Sequence, residues 1–191
     1  MLAHVQGSLL NASQLAKNLG VSVQTITRYI DLLVDLLLVR RLQPFHINVG
    51  KRLVKSPKVY IRDSGLLHTL LGIKDAETLQ SHPVMGASFE AFVIENCLNC
   101  APAHTNAYFY RTTSGAEIDL LLEMPDQSLW AIEIKRSLSP KLQKGFYYAQ
   151  ADLNPKRSFV IYAGHERYPL ANNVEAISLY DFLVELHQFE S

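Results

Sequence analysis

Two apolar runs carry acids where acids are costly, and that constrains the fold more than any other feature of the 191-residue chain. Ile118-Asp-Leu-Leu-Leu122 and Trp130-Ala-Ile-Glu-Ile-Lys135 read as otherwise apolar strands. A carboxylate buried in such a strand is unfavourable unless it is paired or bound to a metal. Asp119 and Glu133 therefore need partners. Side chains alternate along a strand, so Glu133 and Lys135 project from one face while Ile132 and Ile134 project from the other. If the two strands pair as a hairpin, the carboxylates of Asp119 and Glu133 converge. Hard oxygen ligands suit Mg²⁺ or Mn²⁺. A lysine beside them can orient or help deprotonate an attacking water and steady charge developing on a phosphoryl group. Glu117 and Glu123 share the alternation phase of Asp119 and compete with it for the inward position. An exposed Glu133–Lys135 ion pair on an unused fold is the non-catalytic alternative.

The surrounding composition is that of a soluble globular protein: 48% hydrophobic, 19% charged, net charge zero. No apolar run approaches the ~20 residues needed to span a bilayer, and the first residues lack the charged and apolar parts of a signal peptide. The expected compartment is the cytoplasm, with no membrane partner. The zero net charge hides an asymmetry, because residues 1–80 hold 10 Lys and Arg against 5 Asp and Glu, and residues 81–191 hold 8 against 13. A basic part beside an acidic part suggests two modules. The basic residues are densest from Arg40 to Arg62, where Lys51, Arg52, Lys55 and Lys58 fall with no carboxylate between Asp35 and Asp63. Such a stretch can face phosphates or be a solvated loop.

In the basic part, Asn11 or Ser13 can cap a short helix that Gly20 stops, and Ser22 can cap a second helix with Ile26, Ile30, Leu33, Val34 and Leu37 on its apolar stripe. Two helices joined by the tight Gly20-Val21-Ser22 turn have the spacing of a helix-turn-helix. Strands expected at 39–45 and 58–61, with a turn at 48–51, complete a winged helix over residues 1–62 whose wing carries the basic patch. Its second helix would present Gln24, Thr27 and Arg28 to bases, and Lys51, Arg52 and Lys55 would meet phosphates. Protein docking is the other use of such a module. A helical link is expected over 63–82. Residues 83–191 then read as a long helix containing Glu90, strands at 107–111, 118–123 and 129–135, a helix at 140–153, strands at 158–163 and 174–177, and a closing helix at 180–187.

Asp119 followed by Glu133-x-Lys135, within that order of elements, resembles the PD-(D/E)XK nuclease superfamily, and Glu90 in the preceding helix matches the additional acidic residue often found there. Over the whole chain the likeness is narrower. Leu15-Ala-x-x-Leu-Gly-Val-Ser22, Thr25-x-x-Arg-Tyr-Ile30, Lys51-Arg-Leu-Val-Lys-Ser-Pro-Lys-Val-Tyr60, Asp63-x-Gly65, Phe89-Glu90, Ser114-Gly-Ala-Glu-Ile-Asp119 and Glu133-Ile-Lys135 resemble the C-terminal half of a prokaryotic family of AAA-type ATPases of unknown function. The resemblance implies a mixed α+β or α/β chain: an N-terminal winged helix-turn-helix, then a restriction-endonuclease-like mixed sheet flanked by helices. It also implies DNA as partner, Asp119, Glu133 and Glu90 as metal-site residues, and Lys135 as the positioning amine. The family's ATPase module carries a phosphate loop, and this chain has no Gly-x-x-x-x-Gly-Lys-Ser/Thr segment. No ATPase activity is expected of it, and the missing ATPase module or its ring assembly becomes a possible partner. The alternative function is a non-catalytic nucleic-acid or protein interaction module serving that ATPase.

Two smaller patterns carry less. Cys97-Leu-Asn-Cys100 followed by His104 has the spacing of three zinc ligands but lacks a fourth, so apolar filling is the expected role of the thiols. Gln143-x-x-x-Tyr147 is similar to an element of some nucleases of the superfamily.

Overall fold

Side-chain caps and a left-handed glycine set the first helices where the sequence expects them. In the structure, a computed structural model that describes residues 1–48 and 50–189, the Asn11 side chain accepts the Gln14 N–H at the start of α1 (Ala12–Leu19) and Ser22 accepts the Thr25 N–H at the start of α2 (Val23–Asp35). Gly20 ends α1 at φ 67°, a conformation that costs a residue with a Cβ. Leu15 and Ala16 of α1 pack on Ile26 and Ile30 of α2. The chain then enters β1 (Val39–Pro44), whose first four residues pair antiparallel with β2 (Lys58–Ile61), Val39 opposite Ile61. Helices α3 (Ser64–Leu70) and α4 (Ala76–Ser81) follow, capped by Asp63 and Asp75, and α5 (Met85–Cys100) comes next.

The chain divides into two compact units. Met1–Leu42 and Ser56–Phe92 form the first, and Gln43–Lys55 joins the chain from Val93 onward in the second. This partition differs from modules at 1–62 and 83–191. Its cause is that the segment expected to form a wing spends its backbone hydrogen bonds inside the second unit. Gln43 and Pro44 pair parallel with β3 (Asn106–Arg111), the Phe45 N–H donates to the Phe109 carbonyl at 2.7 Å, and the Val54 N–H donates to the Arg111 carbonyl at 3.0 Å. The turn expected at 48–51 includes Val49, which lies outside the described residues.

Within the second unit, β3, β4 (Glu117–Glu123) and β5 (Leu129–Lys135) form an antiparallel meander. Helix α6 (Lys144–Leu153) connects β5 to the parallel strand β6 (Arg157–Tyr162), and β8 (Val174–Ser178) adds in parallel beyond it, with the short β7 (Tyr168–Pro169) antiparallel at the edge. Helix α7 (Leu179–His187) closes the chain against β6 and β8. This is a mixed α/β sheet with apolar cover on both faces. On one face Phe146 and Ala149 of α6 pack with Ile118, Leu121 and Ala131; Trp130, Phe159 and Phe182 form a second cluster, with ring centroids 5.0–6.3 Å apart. Two-sided cover explains why β4 to β6 are continuously apolar instead of alternating.

Strict alternation fails at one place. Tyr108 faces Leu121 and Tyr110 faces Ile118, so the single residue Phe109 of β3 stands opposite two residues of β4, Asp119 and Leu120. This bulge brings Ile118 and Leu121, an odd number of steps apart, into one apolar cluster. It also shifts Glu117 out of the phase it would share with Glu123, so these three acids are no longer equivalent.

Helix α6 begins hard against the turn at 112–116. A Cβ added to Gly145 would stand 2.4 Å from the Gly115 carbonyl oxygen, whereas one added to Gly86 in α5 would meet nothing within 4 Å. Gly145→Ala is expected to destabilise the protein by about 1–3 kcal/mol, while Gly86→Ala leaves stability unchanged or raises it by up to about 1 kcal/mol. Denaturant unfolding of both variants checks the contrast; equal effects would contradict it.

Candidate active site

The bulge and the end of the β4–β5 ladder together build the site. Leu120 faces Ile132 in that ladder, and one further step puts Asp119 across from Glu133. There the backbone pairing gives way to a side chain: Asp119 Oδ2 accepts the Ile134 N–H at 3.0 Å. Asp119 is only 9% exposed and Glu133 7%. Glu133 Oε1 accepts from Lys135 Nζ at 2.6 Å. Its other oxygen, Oε2, is buried and has no hydrogen-bond partner. A buried, unsatisfied carboxylate oxygen is unfavourable and calls for a ligand or a proton.

The electrostatics follow from that arrangement. Burial pushes the Glu133 carboxyl up to about 8, the negative charge of Asp119 adds to the shift, and Lys135 opposes it. Removal from water and a neighbouring acid thus outweigh one part-exposed amine. Two carboxylates with one unsatisfied oxygen fit a hard divalent ion of the Mg²⁺ kind, which takes one or two protein carboxylates and keeps several waters. A fully proteinaceous cage is not present: among the described residues no group of three or more His, Cys, Asp and Glu is placed to hold a metal ion.

The remaining expected residues lie elsewhere in the fold. Glu90 falls in the first unit, where its Oε1 accepts from Tyr60 Oη at 2.6 Å and from Lys58 Nζ at 3.2 Å. Lys58 is 4% exposed, so this member of the basic stretch is an internal ion-pair partner and not a cation offered to phosphates. Gln24, Thr27 and Arg28 are exposed on α2 and border a shallow surface concavity with Val23. Lys51 belongs to the second unit and pairs with Asp152, whose other oxygen accepts from Tyr110 Oη at 2.9 Å. Arg52 and Lys55 are exposed. Asp152, Tyr110 and Tyr60 went unnoticed in the sequence because each meets its partner 30 or more residues away, and no local spacing signals such a pair. Cys97 is buried in α5 and Cys100 partly so, both as free thiols, and burial pushes the Cys97 thiol up. Gln143 is the residue preceding α6, and Tyr147 packs on the sheet core.

Fold and site define a mixed α/β protein with two buried carboxylates and a partly exposed lysine at the end of a hairpin. Residues 85–182 match the family described as domain of unknown function (DUF4143), to which the chain belongs, and residues 1–77 match a second described as domain of unknown function (DUF8612). The uncharacterized proteins Mb2031c of Mycobacterium bovis and Rv2008c of Mycobacterium tuberculosis are each 43% identical over 177 residues, 93% of this chain. The chain spans only 40% of the length of these relatives. No solved structure matches it. No described helix is long and apolar enough to cross a membrane.

The raised Glu133 carboxyl makes stability depend on pH in a definite direction. Between the ordinary value of 4.5 and about 8 the native state holds a proton that the unfolded state has lost. Stability contributed by neutral Glu133 is therefore complete below that window, falls as pH rises through it, and levels above about 8. In chelator-treated buffer, the melting temperature of Glu133→Gln should exceed that of the wild type by a margin that grows from pH 5 to pH 8.5. A margin independent of pH would contradict the assignment.

Proposed function

We propose that the protein binds DNA and that its second unit hydrolyses phosphodiester bonds with the help of Mg²⁺ or Mn²⁺. The observation that carries this reading is Glu133 Oε2, a buried carboxylate oxygen without a partner, opposite Asp119 and next to Lys135. Asp119 and Glu133 would hold the cation, which when bound supplies Lewis acidity toward a phosphoryl oxygen. Asp119 is fixed for this by the Ile134 N–H, so its carboxylate is oriented before any ligand arrives. Lys135 has one foot on Glu133 and is partly exposed. From there its ammonium can hold the attacking water and offset the charge gathering on the phosphoryl oxygens. DNA recognition is assigned to α2, through Gln24, Thr27 and Arg28, as a helix-turn-helix would use them.

One observation favours a second, non-catalytic reading. Around α2 the first unit exposes Leu19, Tyr29, Leu32 and Leu36, and a groove of about 560 Å³ lined by Leu15, Ile26, Tyr29, Leu33 and Leu70 lies beside them. An apolar surface of this kind suits a protein partner, for which the sequence resemblance offers the ATPase module. On that reading the chain binds and does not cut.

Supercoiled, linear, single-stranded and branched DNA incubated with Mg²⁺ or Mn²⁺ separate the two. Asp119→Asn and Lys135→Ala should each lower cleavage at least ~10²-fold while retaining DNA binding. Equal cleavage by wild type and variants would remove these residues from the chemistry, and binding without cleavage by the wild type would support the docking module.

A further inference from the structure

The segment from Gln43 to Lys55 is tied to the second unit near both of its ends, at Gln43 to Phe45 and at Lys51 to Val54, and two of its cations are left outward. The ties are backbone bonds from Phe45 and Val54 to β3, a bridge between Leu53 and Thr112, and the Thr113 N–H donating to the Arg52 carbonyl at 2.9 Å. Side chains add a further anchor, because Asp152 at the end of α6 takes Lys51 on one oxygen and the buried Tyr110 on the other. Lys51 is thereby consumed in holding the segment. Arg52 and Lys55 are exposed and make no ion pair among the described residues.

The segment rests on the 112–116 turn, and that turn runs directly into β4. Asp119 is the third residue beyond Ala116, about 10 Å along the strand. The same turn is pressed from another side by the start of α6, through Gly115 against Gly145. Lys144, the first residue of that helix, is exposed as well. Cations from two stretches of sequence, Arg52 and Lys55 in one and Lys144 in the other, thus lie beside the turn that leads to the acid pair. An acid pair repels a phosphate chain, and nearby cations offset that repulsion.

We propose that residues 50–55 form a phosphate clamp of the second unit, in which Arg52 and Lys55, joined by Lys144, grip the DNA backbone beside the bond at Asp119 and Glu133. The clamp rests on the hydrolytic reading for its purpose, but its contact with DNA does not. Lys51 acts through position, as the tether to Asp152, and α2 makes a separate contact. Because the backbone carrying Arg52 and Lys55 is anchored, only their side chains lose freedom on binding.

The test compares wild type, Arg52→Ala/Lys55→Ala and Arg28→Ala by fluorescence anisotropy on a short DNA duplex in chelator, across a salt series. Each lost phosphate contact lowers the slope of log K against log salt by ~0.9. The double variant should therefore lose about 2 from that slope, with an unchanged melting temperature and, where the wild type cleaves, a raised KM at unaltered kcat. An unchanged slope in the double variant overturns the clamp, even if cleavage is normal. A fallen slope with no cleavage by the wild type upholds the clamp while the hydrolytic reading fails. No duplex binding by the wild type overturns both.

Discussion

Two carboxylates held across from each other in a dry hairpin are the constraint around which the second unit is arranged. Left alone, Asp119 and Glu133 repel and neither is well solvated. The fold answers in part: an N–H from Ile134 serves Asp119, and an ammonium from Lys135 serves one oxygen of Glu133. The second Glu133 oxygen is left without such an answer. Native interiors rarely tolerate an orphaned acceptor unless it has work to do, and strained or under-satisfied groups concentrate at functional sites. The bulge opposite Phe109 belongs to the same economy. It adds a residue to β4 at Asp119 and Leu120, keeping apolar Ile118 and Leu121 in one core cluster while an acid stands between them.

The first unit obeys a different rule. Its small helices are set by caps and an apolar stripe, and its most buried cation, Lys58, is balanced by Glu90 and roofed by Tyr60. Its outward surface on α2 mixes polar Gln24, Thr27 and Arg28 with exposed Tyr29, Leu32 and Leu36. Charge count alone therefore misdescribes it. Of the basic residues between Arg40 and Arg62, Lys58 is internal, Arg41 pairs with Asp31 at 2.7 Å, and Lys51 belongs to the second unit, where it is bound to Asp152.

Much of the secondary structure was legible because local signals and burial agree. Strand β5 falls at 129–135 as periodicity predicts, and Gly20, Asn11 and Ser22 mark helix ends by chemistry that acts within four residues. The helix expected from Pro140 begins only at Lys144. The acid pair was legible as well, because a charge inside an apolar strand is visible without coordinates. Three things were not. The bulge is a relation between two strands, invisible in either alone. The seating of residues 43–55 depends on backbone bonds to β3 and the turn after it, which no side-chain pattern encodes. The Asp152, Tyr110 and Lys51 network joins residues up to 101 positions apart, and such pairs exist only once the chain has folded.

Burial and the charge of Asp119 keep Glu133 from ionising, and the divalent cation proposed for the site would relieve this. Carbon-13 NMR of the Glu133 carboxyl, titrated with pH first in chelator and then with Mg²⁺, measures it directly. The account predicts a midpoint near 8 without the ion and a clear downward move when Mg²⁺ is added. A midpoint in the ordinary glutamate range that Mg²⁺ leaves untouched would contradict it.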